Sequence, residues 1–220
     1  QITRFDSAPL LSVVAPLEKN PQMIMWDPDT YPDVESIADL GERDITISVF
    51  GAEVFSEVFI AQGIWSADQV DPSYDGSPAN FIANQGSIAQ QGFASAEPYN
   101  YKNTYEQWGK DVKYQLLHDA GFPVYSQTLA IRPEDKDFLD ACLTDLVPII
   151  QRAVVNFSSN PRNTNALIVD VVKSFNSFWV YNKWIADYSV QTQWELGLIG
   201  NGNNDIVGDM DQNRIRGVID

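Results

Sequence analysis

Short apolar runs, broken by proline, glycine and acidic residues, dominate the chain up to Arg132. Beyond it the apolar positions recur with helical spacing. Ile2 to Phe5 and Leu10 to Pro16 are apolar and β-branched and predict strands, with Pro9 and Pro16 as punctuation. Gln22 to Trp26 predicts another strand, and the acidic stretch Asp27-Pro-Asp-Thr-Tyr-Pro-Asp33 predicts a connection. The clearest strand signal is Ile45 to Phe50, ended by Gly51. Val54, Phe55, Val58, Phe59 and Ala61 then predict an amphipathic helix that stops at Gly63. Strand, glycine turn and helix open a βαβ unit.

An Asp/Pro/Ser/Gly-rich stretch from Asp71 to Pro78 leads to a helix expected over 79–91, carrying Phe81, Ile82 and Ile88. Gly92 introduces a strand-like run, Phe93 to Ala96, that ends in Glu97-Pro98-Tyr99. Further strands are expected at Val112 to Leu117 and Gln127 to Ile131. Pro133-Glu-Asp starts a long helix reaching Asn156, with Phe138, Leu139, Cys142, Leu146 and Ile149 on one face and a kink at Pro148. Helices over 163–175 and 178–197 follow, then a turn at Asn201-Gly202 and a short last helix capped by Gly208-Asp209. Alternating strands and helices with a helical tail predict an α/β class.

Composition narrows the function classes. The 220 residues carry a net charge of −16, and only Arg4, Lys19 and Arg43 are basic before Lys102, against fifteen acids in that span. So acidic a surface repels phosphate backbones and anionic lipid, which argues against nucleic acid or a membrane surface as partner. No apolar run reaches the roughly 18 residues that a membrane-spanning helix needs. The opening Gln1-Ile-Thr-Arg-Phe-Asp-Ser reads as interior sequence rather than a signal peptide, as expected of a mature terminus or a truncated chain.

Catalytic constellations fail. Asp209-Met-Asp211-Gln-Asn213 imitates the start of a calcium loop, but Arg214 stands where that loop needs glycine; an N-cap with solvated acids accounts for it better. His118 is the only histidine, so no zinc pair can form, and it reads as structural. Cys142 is the only cysteine and reads as core filler on an apolar helix face. There is no nucleophile elbow, phosphate loop or dinucleotide fingerprint. No enzyme, metal or cofactor is expected. Two segments do have binding-site chemistry. Ser48-Val-Phe50-Gly51-Ala52-Glu53 brings backbone N–H groups and a helix start to the end of a strand, where α/β sheets collect ligands. Glu97-Pro98-Tyr99 sets a carboxylate and an aromatic ring at the end of an apolar run. An ordinary βα turn and an ordinary surface loop are the plain alternatives.

Taken in order, Ser36-Ile-Ala-Asp39-Leu40-Gly41-Glu-Arg43, the strand–turn–helix from Ile45 to Ile64 and the hinge-like Glu97-Pro98-Tyr99 resemble one family. The pattern is similar to type II periplasmic solute-binding proteins of ABC importers, in the nitrate, sulfonate and thiamine-pyrimidine-precursor class. The likeness runs across roughly residues 8 to 200. It implies one complete α/β lobe plus a partial first lobe with a helical C-terminal tail. Its divisions would be 1–44 (partial lobe one and crossover), 45–101 (lobe two core), 102–126 (end of lobe two and return crossover) and 127–220 (lobe one return strand and C-terminal helices). It also implies a further strand–helix–strand unit upstream, an interlobe cleft, permease subunits as partners, and a periplasmic or extracellular location with membrane contact only through an upstream lipid anchor. The related thiamine-pyrimidine synthases carry a cysteine-rich motif that this chain lacks.

The ligand class follows from charge. No basic residue stands between Arg43 and Lys102, whereas Phe50, Phe55, Tyr99, Tyr101 and Glu97 offer aromatic faces and a hydrogen-bond acceptor. A thiamine-pyrimidine-like heterocycle is expected, bound by Ser48, Phe50, Gly51, Ala52, Glu53, Phe55, Glu97 and Tyr99. Nitrate or sulfonate anions, or an enzyme of the pyrimidine-synthase type, are the alternatives.

Overall fold

A computed structural model describes residues 9–51, 53–175 and 179–219. The strand expected at Ile2 to Phe5, and Ala52 of the expected site, lie outside the described residues. In chain order the elements begin with β1 (Leu11–Val14), β2 (Gln22–Trp26), α1 (Ile37–Glu42), β3 (Ile47–Ser48), α2 (Val54–Ala61) and β4 (Val70–Asp71). They continue with α3 (Ala79–Ala83), β5 (Ala89–Phe93), α4 (Glu97–Asn103), β6 (Lys113–Leu116) and β7 (Leu129–Ile131). Four helices close the chain: α5 (Lys136–Ser159), α6 (Arg162–Ser174), α7 (Lys183–Glu195) and α8 (Gln212–Ile219). The fold is mixed α/β.

The chain divides into two compact units. Unit 1 takes both ends, up to Asn20 and from Val124, and unit 2 is the continuous stretch Pro21–Pro123. The division differs from the expected boundary at residue 44, because β2 pairs antiparallel with both β5 and β6 and so sits inside the sheet of unit 2.

That sheet runs β4-β3-β5-β2-β6, with β3 parallel to β4 and β5. One of its faces packs on a core of Ile24, Ile47, Ala89, Leu40, Phe55, Phe59 and Trp65. The Phe59 and Trp65 rings meet edge-on, 4.9 Å apart. α1 starts in a capping box, where Ser36 and Asp39 satisfy each other's backbone amides. Gly41 follows because a Cβ there would lie 1.8 Å from the Ile64 carbonyl oxygen. Asp27, in the expected connection, is buried and accepts from Lys110 Nζ at 2.9 Å and Thr30 Oγ1 at 2.7 Å.

Three expectations are corrected here. The helix over 79–91 ends at Ala83, because Gln85 and Gly86 take positive φ, and a Cβ at Gly86 would meet that of Asp27 at 2.6 Å. The following strand is therefore Ala89–Phe93 rather than Phe93 to Ala96. The strand over Ile45 to Phe50 contributes only Ile47 and Ser48 to its ladders.

In unit 1, β1 and β7 form an antiparallel pair with a register shift between Ser12 and Val14. α5 continues on both sides of Pro148. Its inward stripe is Leu143, Val147, Ile150 and Val154, all half-buried, whereas Phe138, Cys142, Leu146 and Ile149 are exposed. Apart from half-buried Leu139, the expected apolar face is thus turned outward, and Cys142 is a surface thiol rather than core filler. The cap of α8 is Asp211, not Gly208-Asp209: its Oδ1 accepts the Asn213 and Arg214 amides at 2.7 and 3.1 Å. That use of Asp211 matches the N-cap reading of the calcium-like segment.

Candidate functional site

Strand order places the site. From β3 the chain passes through α2 to β4 on one side, then through α3 to β5 on the other. The carboxyl ends of β3 and β5 are therefore a topological switch point, where the loops part and leave a crevice. Phe50, Gly51 and Glu53 follow β3, and Glu97 follows β5.

The two strand ends are joined by Gln91. Its Oε1 accepts the Phe50 N–H at 2.9 Å and its Nε2 donates to Glu53 Oε1 at 3.1 Å. Gln91 has no exposed surface, so both ends of its carboxamide need these partners. Glu53 precedes α2 without capping it through its side chain. Half-buried Phe50 lies against Tyr74, with ring centroids 4.5 Å apart.

On the opposite face Ser48 pairs in register with Gln90, and both are fully buried. Gln90 Nε2 bonds the Tyr101 hydroxyl at 3.0 Å, while Ser48 Oγ and Gln90 Oε1 have no protein partner among the described residues. Glu97 folds back over Gly92, where a Cβ would lie 3.0 Å from its Cγ, and its Oε2 accepts the Phe93 N–H at 2.7 Å. Burial raises the Glu97 carboxyl above the usual range, against the lowering effect of that amide. Burial likewise raises the hydroxyls of Tyr74, Tyr101 and Tyr105, and the nearby Glu97 charge adds to each.

Of the expected site residues, Phe50 and Glu53 are brought together through Gln91, whereas Ser48 lies in β3 beside Gln90 and Glu97 lies over the end of β5 at Gly92 and Phe93. Gly51 is an exposed turn residue. Phe55 is 1% exposed and belongs to the core, packed against Phe59, Trp65 and Phe122, so it is removed from the ligand set. Tyr99 is half-buried on α4, with its carbonyl accepting from Asn103 Nδ2. Tyr101, expected to offer an aromatic face, is 1% exposed and stacks edge-on with Phe81. Sequence reasoning missed Gln90, Gln91 and Tyr74. The only local signal for the first two is a Gln-Gln pair followed directly by Gly92.

Charge is distributed unequally. Unit 2 holds sixteen carboxylates against four cationic side chains. Each of those cations faces a carboxylate: Arg43 with Asp33, Lys102 with Asp111, Lys110 with Asp27 and Asp29, and Lys113 with Glu35. No His/Cys/Asp/Glu cluster able to hold a metal is found among the described residues, and none of their helices is long and apolar enough to cross a membrane. No family model matches the chain, and no curated protein matches it.

Proposed function

We propose that this chain is the extracytoplasmic solute-capturing component of an ABC importer and takes a flat, amino-substituted heterocycle of the thiamine-pyrimidine-precursor kind. The observation that carries the reading is the charge pattern at the switch point. The strand ends offer the Glu53 and Glu97 carboxylates and the Phe50–Tyr74 aromatic pair, while all four cations of unit 2 face carboxylates of their own. Acceptors beside aromatic faces favour a ligand with N–H donors and a π-face over nitrate or sulfonate.

The type II binding-protein fold belongs to the same proposal. It is supported by one continuous α/β unit, entered and left by two chain passages, and by a second unit built from both chain ends. The ordered segments from Ser36 to Tyr99 support it as well. On this reading the protein works outside the cytoplasm, with permease subunits as its partners and a lipid anchor as its membrane contact.

Titration calorimetry with a 4-amino-pyrimidine, nitrate and an alkyl sulfonate tests the ligand class. Binding of the aminopyrimidine alone is expected. Binding of either anion without the aminopyrimidine overturns the reading.

A further inference from the structure

Arg214, on α8, holds two separate stretches of unit 1, at Glu18 and at Val124–Tyr125. Its Nη1 donates to the Glu18 carbonyl at 2.7 Å and to Glu18 Oε1 at 3.1 Å, and its Nη2 donates to the Val124 carbonyl at 3.2 Å. The guanidinium carbon lies 3.7 Å from the centroid of the Tyr125 ring. The Tyr125 hydroxyl in turn accepts the Asp211 N–H at 2.9 Å, which fixes the start of α8. Both side chains of the ion pair are mostly buried, at 12% and 19% exposure, so solvent screens it far less than a surface pair. Gly202 closes the other flank, since a Cβ there would lie 2.7 Å from the Glu18 carboxyl group.

The places that Arg214 grips are not arbitrary. Glu18 lies two residues before the chain leaves unit 1, and Val124 is the residue at which it returns. Leu198 adds a grip on the outgoing passage, its carbonyl accepting the Glu18 and Lys19 amides at 2.8 and 3.4 Å. Inside unit 2 the outgoing passage is anchored at once, because the Pro21 carbonyl accepts the Ala94 N–H at 3.0 Å. The outgoing passage crosses from unit 1 to unit 2 between Asn20 and Pro21, and the return reaches Val124 directly from Pro123. A proline in each stretch restricts it further.

We propose that Arg214 is a clasp through which α8 ties together the outgoing and returning passages of the chain. A planar, five-donor guanidinium suits the task, because it reaches two carbonyls and a carboxylate at once while stacking on a ring. α8 thereby acts on the segments that join the units although it lies near the end of the sequence. The inference stands whether or not the solute reading does.

Hydrogen exchange on the full chain tests it. In Arg214→Ala the amides of Glu18, Lys19 and Asp211 are expected to exchange about tenfold faster or more, the equivalent of one lost charged hydrogen bond, with α5 and α6 unchanged. Parental rates at those three amides overturn the clasp, and so does acceleration spread evenly over unit 1. Arg214→Lys covers the case in which the alanine variant does not fold. Lysine lacks the second nitrogen and the planar face that Arg214 lays on Tyr125, so faster exchange is expected in at least one passage, and full parental protection in both refutes the proposal.

Discussion

Gln91 and Glu53 are bonded across 3.1 Å by the Gln91 amide, while the other end of that carboxamide holds the Phe50 N–H. A buried strand residue thus sets the turn after β3, far earlier in the chain. Gln91→Leu keeps the bulk and removes both bonds. It is expected to destabilise the protein by about 1–3 kcal/mol in urea unfolding, because the Phe50 amide loses its partner, and to lose solute-dependent thermal stabilisation. Unchanged stability would show that the bridge is dispensable.

Gly41 is the residue of the Asp39-Leu40-Gly41 segment with no room for a side chain. Gly41→Ala drives a methyl group to 1.8 Å from the Ile64 carbonyl oxygen, which is backbone and cannot rotate away. A loss of about 3 kcal/mol is expected, at the upper end of overpacking substitutions, read from the urea midpoint.

Phe50 keeps part of its ring at the surface while resting on Tyr74. Phe50→Ala is expected to weaken aminopyrimidine binding about tenfold in calorimetry, as loss of an aromatic pair with the ligand would. Folding should change little, because the side chain is only half-buried.

Two carboxyl groups give opposite pH signatures. Burial pushes the Asp27 carboxyl up, but the hydrogen bonds from Lys110, Thr30 and the Asp29 amide outweigh it and hold it below its ordinary 3.8. Its stabilising effect is therefore present above pH 3.8 and is lost as the pH falls through the folded-state value. In Asp27→Asn that part of the acid limb should vanish from a stability–pH curve, together with the stability it supplied at neutral pH.

Glu97 has the reverse sign. Its pKa is raised above the ordinary 4.5, so its contribution is fully present below that value and declines as the pH rises through the raised one. Glu97→Gln keeps an acceptor for the Phe93 amide and should flatten this decline, leaving the variant at least as stable at pH 7 in urea titrations. A variant that unfolds more readily at pH 7 would contradict this assignment.

Half of the candidate site is legible in the sequence. Phe50 and Glu53 follow a strand, a glycine turn and a helix start, and that signal is local. Glu97 is legible as a carboxylate at the end of an apolar run, but its fold over Gly92 is not. Gln90 and Gln91 stay hidden because two glutamines read as a solvated helix end. Both are buried, Gln91 with its two amide ends held by Phe50 and Glu53 and Gln90 with its Nε2 on Tyr101, partners that all arrive from elsewhere in the chain. Phe55 misleads in the other direction: an aromatic residue near a turn looks the same whether it meets a ligand or, as here, Trp65 and Phe122.

By itself the sequence determined the elements whose signals are short-range. β2 spans Gln22–Trp26, as its apolar run predicts, and the helical tail follows its periodicity. Proline, glycine and hydrophobic spacing act within a few residues, so no distant partner is needed to read them. Tertiary structure alone decided which face of α5 turns inward and that a polar pair forms the middle of β5. It also decided that β2 belongs to the sheet of unit 2. Each of these depends on what surface, amide or strand edge the rest of the chain brings alongside, and burial of a polar group is stable only once that partner is in place.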